Sequence, residues 1–526
     1  MPKYTPIIGL EIHVELKTNS KMFCGCANNP FIDTPNVNIC PVCLAHPGTL
    51  PVPNKQAIVD TVKIATALGC TINELSKFDR KHYFYPDLPK AYQISQYEQP
   101  VAEHGKIELM FNMVNGETNH RDRAIIGITR VHLEEDTAKL NHDTSGNTLV
   151  DFNRAGVPLV EIVSDPDIQS GTEAKNYCQE LQMIFRSLGV SDADMEKGQM
   201  RCEANISLQE DGNFSIVNGL VNALPGCKLN SKVECKNINS FRAVEKAIDF
   251  EIKRQTEMLE KGESWRQETR GWDDGAQATV HQRFKETSAD YRYFPEPDIP
   301  PFHPITVAGV VSMPELPLTK RLRFHNEFGF SYADALMLSS DKKWAGFTEA
   351  VMSELHDWLH NLPETENCLI RKDATEQNLV CKPAQGLARL AGGWLTSKLN
   401  GALNDRKITF EDLKVKPENF AELVALVYAN RVNSTNAQKI LFDMIDSGVD
   451  MDPTHIMDEK GYGQISDPNK LISVVDEVIK NNPNQVAAFK AGKEPLIKFL
   501  IGMAMKATAG SADPLVVEKM LRDKMK

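Results

Sequence analysis

The chain has 526 residues, 41% hydrophobic and 25% charged, enough for two to four domains with at least one large core. The first twenty residues mix Lys3, Glu11, Glu15 and Lys17 into the apolar ones, and no apolar run approaches the roughly 20 residues of a membrane span; a soluble cytoplasmic protein without a membrane partner is expected. A formal net charge of -12 excludes coating of nucleic acid by bulk electrostatics and confines any such contact to local patches.

The first predicted element is a strand. From Ile8 to Leu16, the residues Ile8, Leu10, Ile12, Val14 and Leu16 fall on one face and Glu11, His13 and Glu15 on the other. Two carboxylates and an imidazole at this spacing can bind a divalent ion, although a solvated polar face would read the same. Residues 24–43, CGCANNPFIDTPNVNICPVC, then hold a C-x-C pair (Cys24, Cys26) and a C-x-x-C pair (Cys40, Cys43). Two chelating pairs on one short loop predict a four-thiolate zinc site, closed and therefore structural. The other seven cysteines are scattered, as for reduced thiols of a cytosolic protein.

Asn54 predicts the N-cap of a helix running from Lys55 to Leu68 and ended by Gly69. Lys90, in YPDLPKAYQISQ, is the best cation for a transferring phosphate, its approach stiffened by Pro86 and Pro89. A second alternating strand, Ile125 to Glu134, puts Arg130, His132 and Glu134 on one face, with Glu135 on the other unless the strand ends there. A helix from Glu173 to Leu188, closed by Gly189, follows. A third strand from Met200 to Leu208 opposes Arg201, Glu203 and Asn205 to Met200, Cys202, Ala204 and Ile206. Three half-buried strands with acidic faces predict a concave sheet lined with oxygen ligands, which suits magnesium and phosphoryl transfer from a nucleotide. Neither a P-loop nor a Rossmann fingerprint occurs.

Prolines at 295, 297, 300, 301 and 304 mark a boundary near residue 300, beyond which the pattern turns helical. One helical stretch is expected from Lys320 to Asn361, then a polar loop to Pro383 and a helix from Leu387 to Leu403. A second boundary is set at Asn404-Asp405. Ser434 or Thr435 can cap the helix that ends at Gly448, and Asp513-Pro514 opens the last helix. The last 46 residues set eight basic side chains against four acidic ones, a local excess of about +4. Lys490, Lys493, Lys498, Lys506, Lys519 and Arg522 are its candidate nucleic-acid contacts, and a solvated helix face is the plainer alternative.

Several segments together resemble the family of B subunits of Asp/Glu-tRNA amidotransferases: IIGLEIHVELKTNSKMFC, HYFYPDLPKAYQISQYEQP, GITRVHLEEDTAKL, DFNRAGVPLVEIVSDPD, MRCEANISL, VECKNINSFRAVEKAI, SADYRYFPEPDIPP and the tail KEPLIKFLIGMAMKATAGSADPLVVEKMLRDKM. The likeness runs from residue 7 to the end. It implies an α+β fold: a cradle-shaped catalytic domain on an antiparallel sheet at 1–300, an all-helical connector at 301–405 and an all-helical tRNA-binding tail at 406–526. It implies ATP and Mg²⁺ as cofactors beside structural Zn²⁺, an amidase (A) subunit and a small C subunit as partners in a heterotrimer, and tRNA(Gln) or tRNA(Asn) carrying Glu or Asp as substrate. By position, Glu11, His13, Glu134 or Glu135 fall where that family places its metal residues; Glu203 joins them on strand alternation, and Lys90 lies in the Y-P-D-x-P-K-A-Y-Q block. Arg154 and Glu161 receive no role. The resemblance departs after Asp273 and in the loop 361–383.

Two other readings compete: a non-catalytic tRNA-binding scaffold subunit of the same complex, and a self-sufficient glutaminase. Against the first stand the acidic strand faces, which a scaffold for an anionic substrate has no need of. Against the second, the chain has no G-x-S-x-G or G-x-C-x-G elbow, and Cys227 reads as a buried thiol.

Overall fold

The computed structural model describes residues 3–111, 121–217, 219–284, 291–361, 382–465, 467–508 and 510–525. Parts of the two divergent segments, 285–288 and 362–381, lie outside the described residues. So do the side chains at 356, 359–361 and 382–385. The chain forms two compact units, Met1–Pro317 and Leu318–Lys526.

The first unit is built on a nine-stranded sheet. Its order across is Ala278–Phe284, Glu268–Asp273, Val233–Ile238, Met200–Glu210, Tyr4–Glu15, Pro158–Ser164, Arg123–Glu135, Ala102–Met110 and Thr71–Ile72. All neighbours run antiparallel except Val233–Ile238 with Glu268–Asp273. The Tyr4–Glu15 strand is central and alternates as its sequence requires: Ile8, Leu10, Ile12 and Val14 are fully buried, while Glu11 and His13 keep some exposure on the opposite face. Helices Lys55–Ala67, Gly171–Leu188 and Phe241–Glu260 supply Val62, Tyr177, Leu181, Phe185, Val244 and Ile248 to the core on the apolar side. Burying this face is the main stabilising contribution to the unit.

Local signals fix the helix ends. Asn54 accepts hydrogen bonds from the backbone N–H of Gln56 and Ala57, so it is the expected cap. The next helix starts two residues earlier than expected, because Ser170 accepts from the Glu173 N–H; Gly189, at φ 70°, ends it. After Asp273 the chain turns into a hairpin, Glu268–Asp273 with Ala278–Phe284. A separate three-stranded sheet, Arg292–Pro295, Asp79–His82 and Tyr92–Ser95, joins the proline-rich segment to the lysine-bearing block.

The second unit is entirely helical among the described residues. The expected single stretch from Lys320 to Asn361 is three helices, Pro317–Phe328, Tyr332–Ser339 and Lys342–Asn361. Gly329 takes φ 71° and Ser331 caps the second helix through the Asp334 N–H. The helix beginning at Ser434 is capped by Asn433, one residue before the two candidates. Asp513 accepts from the N–H groups of Leu515 and Val516, opening Pro514–Met525 as expected. One apolar core runs from Phe324 to Ile456, so helices on both sides of residue 405 share it; a second core joins Leu471, Val475, Leu500, Val517 and Leu521. No helix among the described residues is long and apolar enough to cross a membrane.

Candidate active site

Three neighbouring strands place their functional side chains in one row. Antiparallel pairing sets His13 of Tyr4–Glu15 opposite Glu161 of Pro158–Ser164, and Glu161 opposite His132 of Arg123–Glu135. Residues directly opposite in adjacent strands share a face. His13 Nε2 therefore lies 3.3 Å from Glu161 Oε2 and 3.5 Å from Glu134 Oε1, while His132 Nε2 lies 3.3 Å from Glu161 Oε2. One ligand atom from each of His13, Glu134 and Glu161 falls within 4.8 Å of the others. Glu134 and Glu161 are 2% and 7% exposed and His13 is 16% exposed, so the cluster is open on the His13 side.

Two carboxylates buried this closely need a compensating cation. Burial alone would lower the pKa of His13, but Glu161 first and then Glu134 push it up to about 9. Burial likewise opposes ionisation of Glu161, and the facing imidazoles of His132 and His13 outweigh it, holding the carboxyl well below its ordinary value. In Glu134 burial is overcome chiefly by His132 and by Lys81. The site thus draws positive charge to the point where its donor atoms converge. One imidazole and two carboxylates form a donor set that Mg²⁺ or Mn²⁺ accepts.

Glu11 and Glu203 face each other across the next strand pair and flank this cluster without joining it. Asn205 Nδ2 donates to Glu11 Oε1 at 2.9 Å, and Lys236 Nζ donates to Glu203 Oε2 at 2.8 Å. Burial, then Glu161 and Glu203, raise the pKa of Glu11.

The structure separates Lys90 and Glu135 from the expected phosphate-facing set. Glu135 follows Glu134 in an extended strand and so points to the other side. There its carboxylate meets Lys90 Nζ at 2.7 Å and accepts from the Ile94 N–H at 3.0 Å. This pair borders a cavity of about 210 Å³ whose lining includes Tyr92, His46, Asp298, Cys24 and Cys43.

Sequence reasoning left Glu161 without a role. Its signal was a single charge inside the apolar run Pro158–Ser164, a strand buried along nearly its whole length; a lone carboxylate in such a run needs partners. Lys81 was missed as well, since it sits among aromatic residues with no recognisable spacing.

The four cysteines converge. One Sγ from each of Cys24, Cys26, Cys40 and Cys43 falls within 4.8 Å of the others, and Cys40 and Cys43 are 3.8 Å apart, close to the edge of a tetrahedron with metal–sulfur bonds of about 2.3 Å. Cys43 Sγ accepts from Cys24, and also from the Cys40 N–H at 3.0 Å. Together they bring the Cys43 pKa down to about 5 despite burial; nearby Lys21 adds to the effect. Lys21 is fully buried and donates to the carbonyls of Asn38 and Phe152. A buried cation beside grouped thiols fits an anionic thiolate–metal site.

Among the basic residues of the tail, Lys490, Lys493, Lys498, Lys506 and Lys519 are exposed and form no ion pair among the described residues. Arg522 differs: it pairs with Glu518 at 2.9 Å and Glu494 at 3.1 Å.

A sheet domain with buried convergent ligands, followed by a helical region, is the layout of a catalytic subunit with an appended module. The family of the GatB/GatE catalytic domain matches residues 6–307, and that of the GatB domain matches residues 379–525. Over 533 residues the chain is 42% identical to the B subunit of the aspartyl/glutamyl-tRNA(Asn/Gln) amidotransferase of Rippkaea orientalis, covering 99% of this chain and 98% of the relative. The corresponding B subunits of Brevibacillus brevis and Dehalococcoides mccartyi are each 41% identical, with 99% of both chains covered. The chain belongs to the family of aspartyl/glutamyl-tRNA(Asn/Gln) amidotransferase B subunits.

Proposed function

We propose that this chain is the ATP-using subunit of a glutamine-dependent Asp/Glu-tRNA amidotransferase, a carbon–nitrogen ligase. The observation that carries the reading is the convergence of His13, Glu134 and Glu161 on one open sheet face. These three would hold Mg²⁺, with Glu11 and Glu203 beside them; the bound ion would screen the γ-phosphate of ATP from the anion approaching it.

The substrate is Glu on tRNA(Gln) or Asp on tRNA(Asn). Its side-chain carboxylate oxygen attacks the γ-phosphorus, the bond to the ADP oxygen breaks, and ADP leaves. Ammonia, released from glutamine by the amidase (A) subunit, then attacks the acyl carbon. The carbon–oxygen bond breaks, inorganic phosphate leaves, and the nitrogen loses a proton to give the amide. The chain's own work is to orient the two anions over a fixed row of side chains, since alignment and charge neutralisation dominate such transfers. His132 keeps Glu161 ionised and oriented.

The small C subunit completes a heterotrimer in this reading. Residues 1–300 act as the catalytic cradle, 301–405 as connector and 406–526 as the tRNA-binding tail, contacting phosphates through Lys490, Lys493, Lys498, Lys506, Lys519 and, more weakly, Arg522. The four cysteines hold a structural Zn²⁺. A pure scaffold would gain nothing by burying carboxylates and imidazoles together.

The test is conversion of Glu-tRNA(Gln) to Gln-tRNA(Gln) by the complex reconstituted with its A and C subunits. Omitting ATP stops the reaction even with free ammonia, and H13A and E161Q abolish phosphate release. Wild-type phosphate release in both variants would favour the scaffold reading instead.

A further inference from the structure

We propose that Lys81 is the catalytic cation that contacts the transferring phosphoryl group above the His13–Glu134–Glu161 cluster, the role sequence spacing gave to Lys90. The proposal rests on the phosphoryl-transfer reading above and deepens it by naming the phosphate-binding side chain.

Register places Lys81 on the right face. In the three-stranded sheet Asp79 pairs with Ser95, Lys81 with Gln93, and Tyr293 with Lys81, so Ser95, Gln93, Lys81 and Tyr293 project to one side. That side meets the end of the Arg123–Glu135 strand: Ser95 Oγ donates to Glu134 Oε2 at 3.0 Å, and Gln93 Nε2 donates to the Glu135 carbonyl at 2.7 Å. The Lys81 stem runs among tyrosines, its Nζ 4.8 Å from the Tyr291 ring centre, with Tyr293 stacked on Tyr97 at 4.5 Å.

Its charge acts on the cluster and is not spent on an ion pair among the described residues. Burial would lower the Lys81 pKa, but Glu134 and then Glu161 raise it above the ordinary value. Among the described residues Lys81 forms no hydrogen bond or ion pair; its Nζ contacts the Tyr291 ring, so its N–H donors remain available to an incoming oxygen. Lys90 has the opposite situation, held at 2.7 Å by Glu135 on the far side of the strand. An ammonium beside a metal-binding carboxylate pair, with donors to spare, is what a dianionic phosphoryl group needs as its mass and charge move between oxygens.

The alternative is that Lys81 only balances the charge of Glu134 and Glu161. The two roles separate in the reconstituted complex, with ATP, charged tRNA and Mn²⁺ as probes. For phosphoryl contact, K81A lowers the rate of tRNA-dependent phosphate release on the order of 10²-fold or more. Its Mn²⁺ affinity stays equal or rises, because a competing positive charge is gone, and K81R recovers at least a tenth of the wild-type rate. For charge balance, K81A releases phosphate within about threefold of wild type, and the proposal falls. If K81A also loses Mn²⁺, K81R decides: Mn²⁺ bound but no phosphate release overturns the proposal, and recovered release supports it. A wild-type complex that releases no phosphate with charged tRNA would instead remove the underlying functional reading.

Discussion

His13 and Glu161 face each other across adjacent strands with 3.3 Å between Nε2 and Oε2, and that contact is held by sheet register rather than by a loop. A ligand pair fixed by two ladders of backbone hydrogen bonds is preorganised, so losing either partner should be felt directly at the metal. H13A and E161Q are each expected to weaken Mn²⁺ binding by at least the 10–100-fold typical of outer-shell changes. Titration followed by electron paramagnetic resonance measures this. The proton on His13 must leave when the ion binds, so wild-type affinity should climb with pH until about 9 and then level off.

The cysteine knuckle should carry one zinc per chain by elemental analysis. Replacing Cys43 with Ser, or prolonged chelation, should remove it and lower the melting temperature of the first unit. The ion is closed off by four sulfurs, so its contribution is to folding. Retention of full thermal stability by the zinc-free protein would refute that role.

Lys90 and Glu135 form a nearly buried pair, 14% and 5% exposed at 2.7 Å. Removing one partner strands the other's charge. K90M is expected to destabilise the protein by about 3–5 kcal/mol, while K90M/E135Q recovers most of it. Denaturant unfolding of the wild type, K90M, E135Q and K90M/E135Q closes the cycle.

Glu15 and Asp136 share one proton. Burial first, then Asp136, raise the Glu15 pKa to about 8; burial of Asp136 is outweighed by Arg201 and Arg154, which bring it to about 2. The sign follows from which state binds more protons. Between pH 4.5 and about 8 native Glu15 keeps a proton that the unfolded chain releases, so this residue's contribution to stability falls as pH rises through that window. For Asp136 the contribution is full above pH 3.8 and is lost as pH falls towards 2. E15Q should abolish the alkaline decline, on the order of a few kcal/mol, in melts taken from pH 5 to 9.

On the tail, Lys498 and Lys506 are exposed on one helix, Leu496–Ala507. Replacing either with alanine should weaken tRNA binding and flatten its log–log salt dependence by about one per lysine. R522A should do less, because Glu518 and Glu494 already neutralise that guanidinium.

Alternation made the first, second and third acidic strands legible, because a period of two shows which residues share a face. It also exposed the knuckle, since four thiols in two chelating pairs have few other uses. What alternation cannot give is register. Alternation already set Glu134 and Glu135 on opposite faces, but it did not show that pairing would bring one beside His13 and the other beside Lys90. Glu161 was hidden for a related reason: its strand is apolar on both faces, so only the pairing of His13, Glu161 and His132 reveals a function. Lys81 depends on a contact between strands more than 200 residues apart in the chain, Asp79–His82 with Arg292–Pro295. In the helical unit, Gly329 and Asn433 moved boundaries that periodicity alone had blurred.

The central position of the Tyr4–Glu15 strand has a consequence for biosynthesis. Both of its neighbours, Pro158–Ser164 and Met200–Glu210, leave the ribosome long after it does. At roughly 5–20 residues per second, about 150 residues of further translation leave that strand unpaired for roughly 7–30 s. During this time its unpaired backbone edges and the apolar face of Ile8, Leu10, Ile12 and Val14 are open to other nascent chains, and truncated products ending before residue 158 should aggregate.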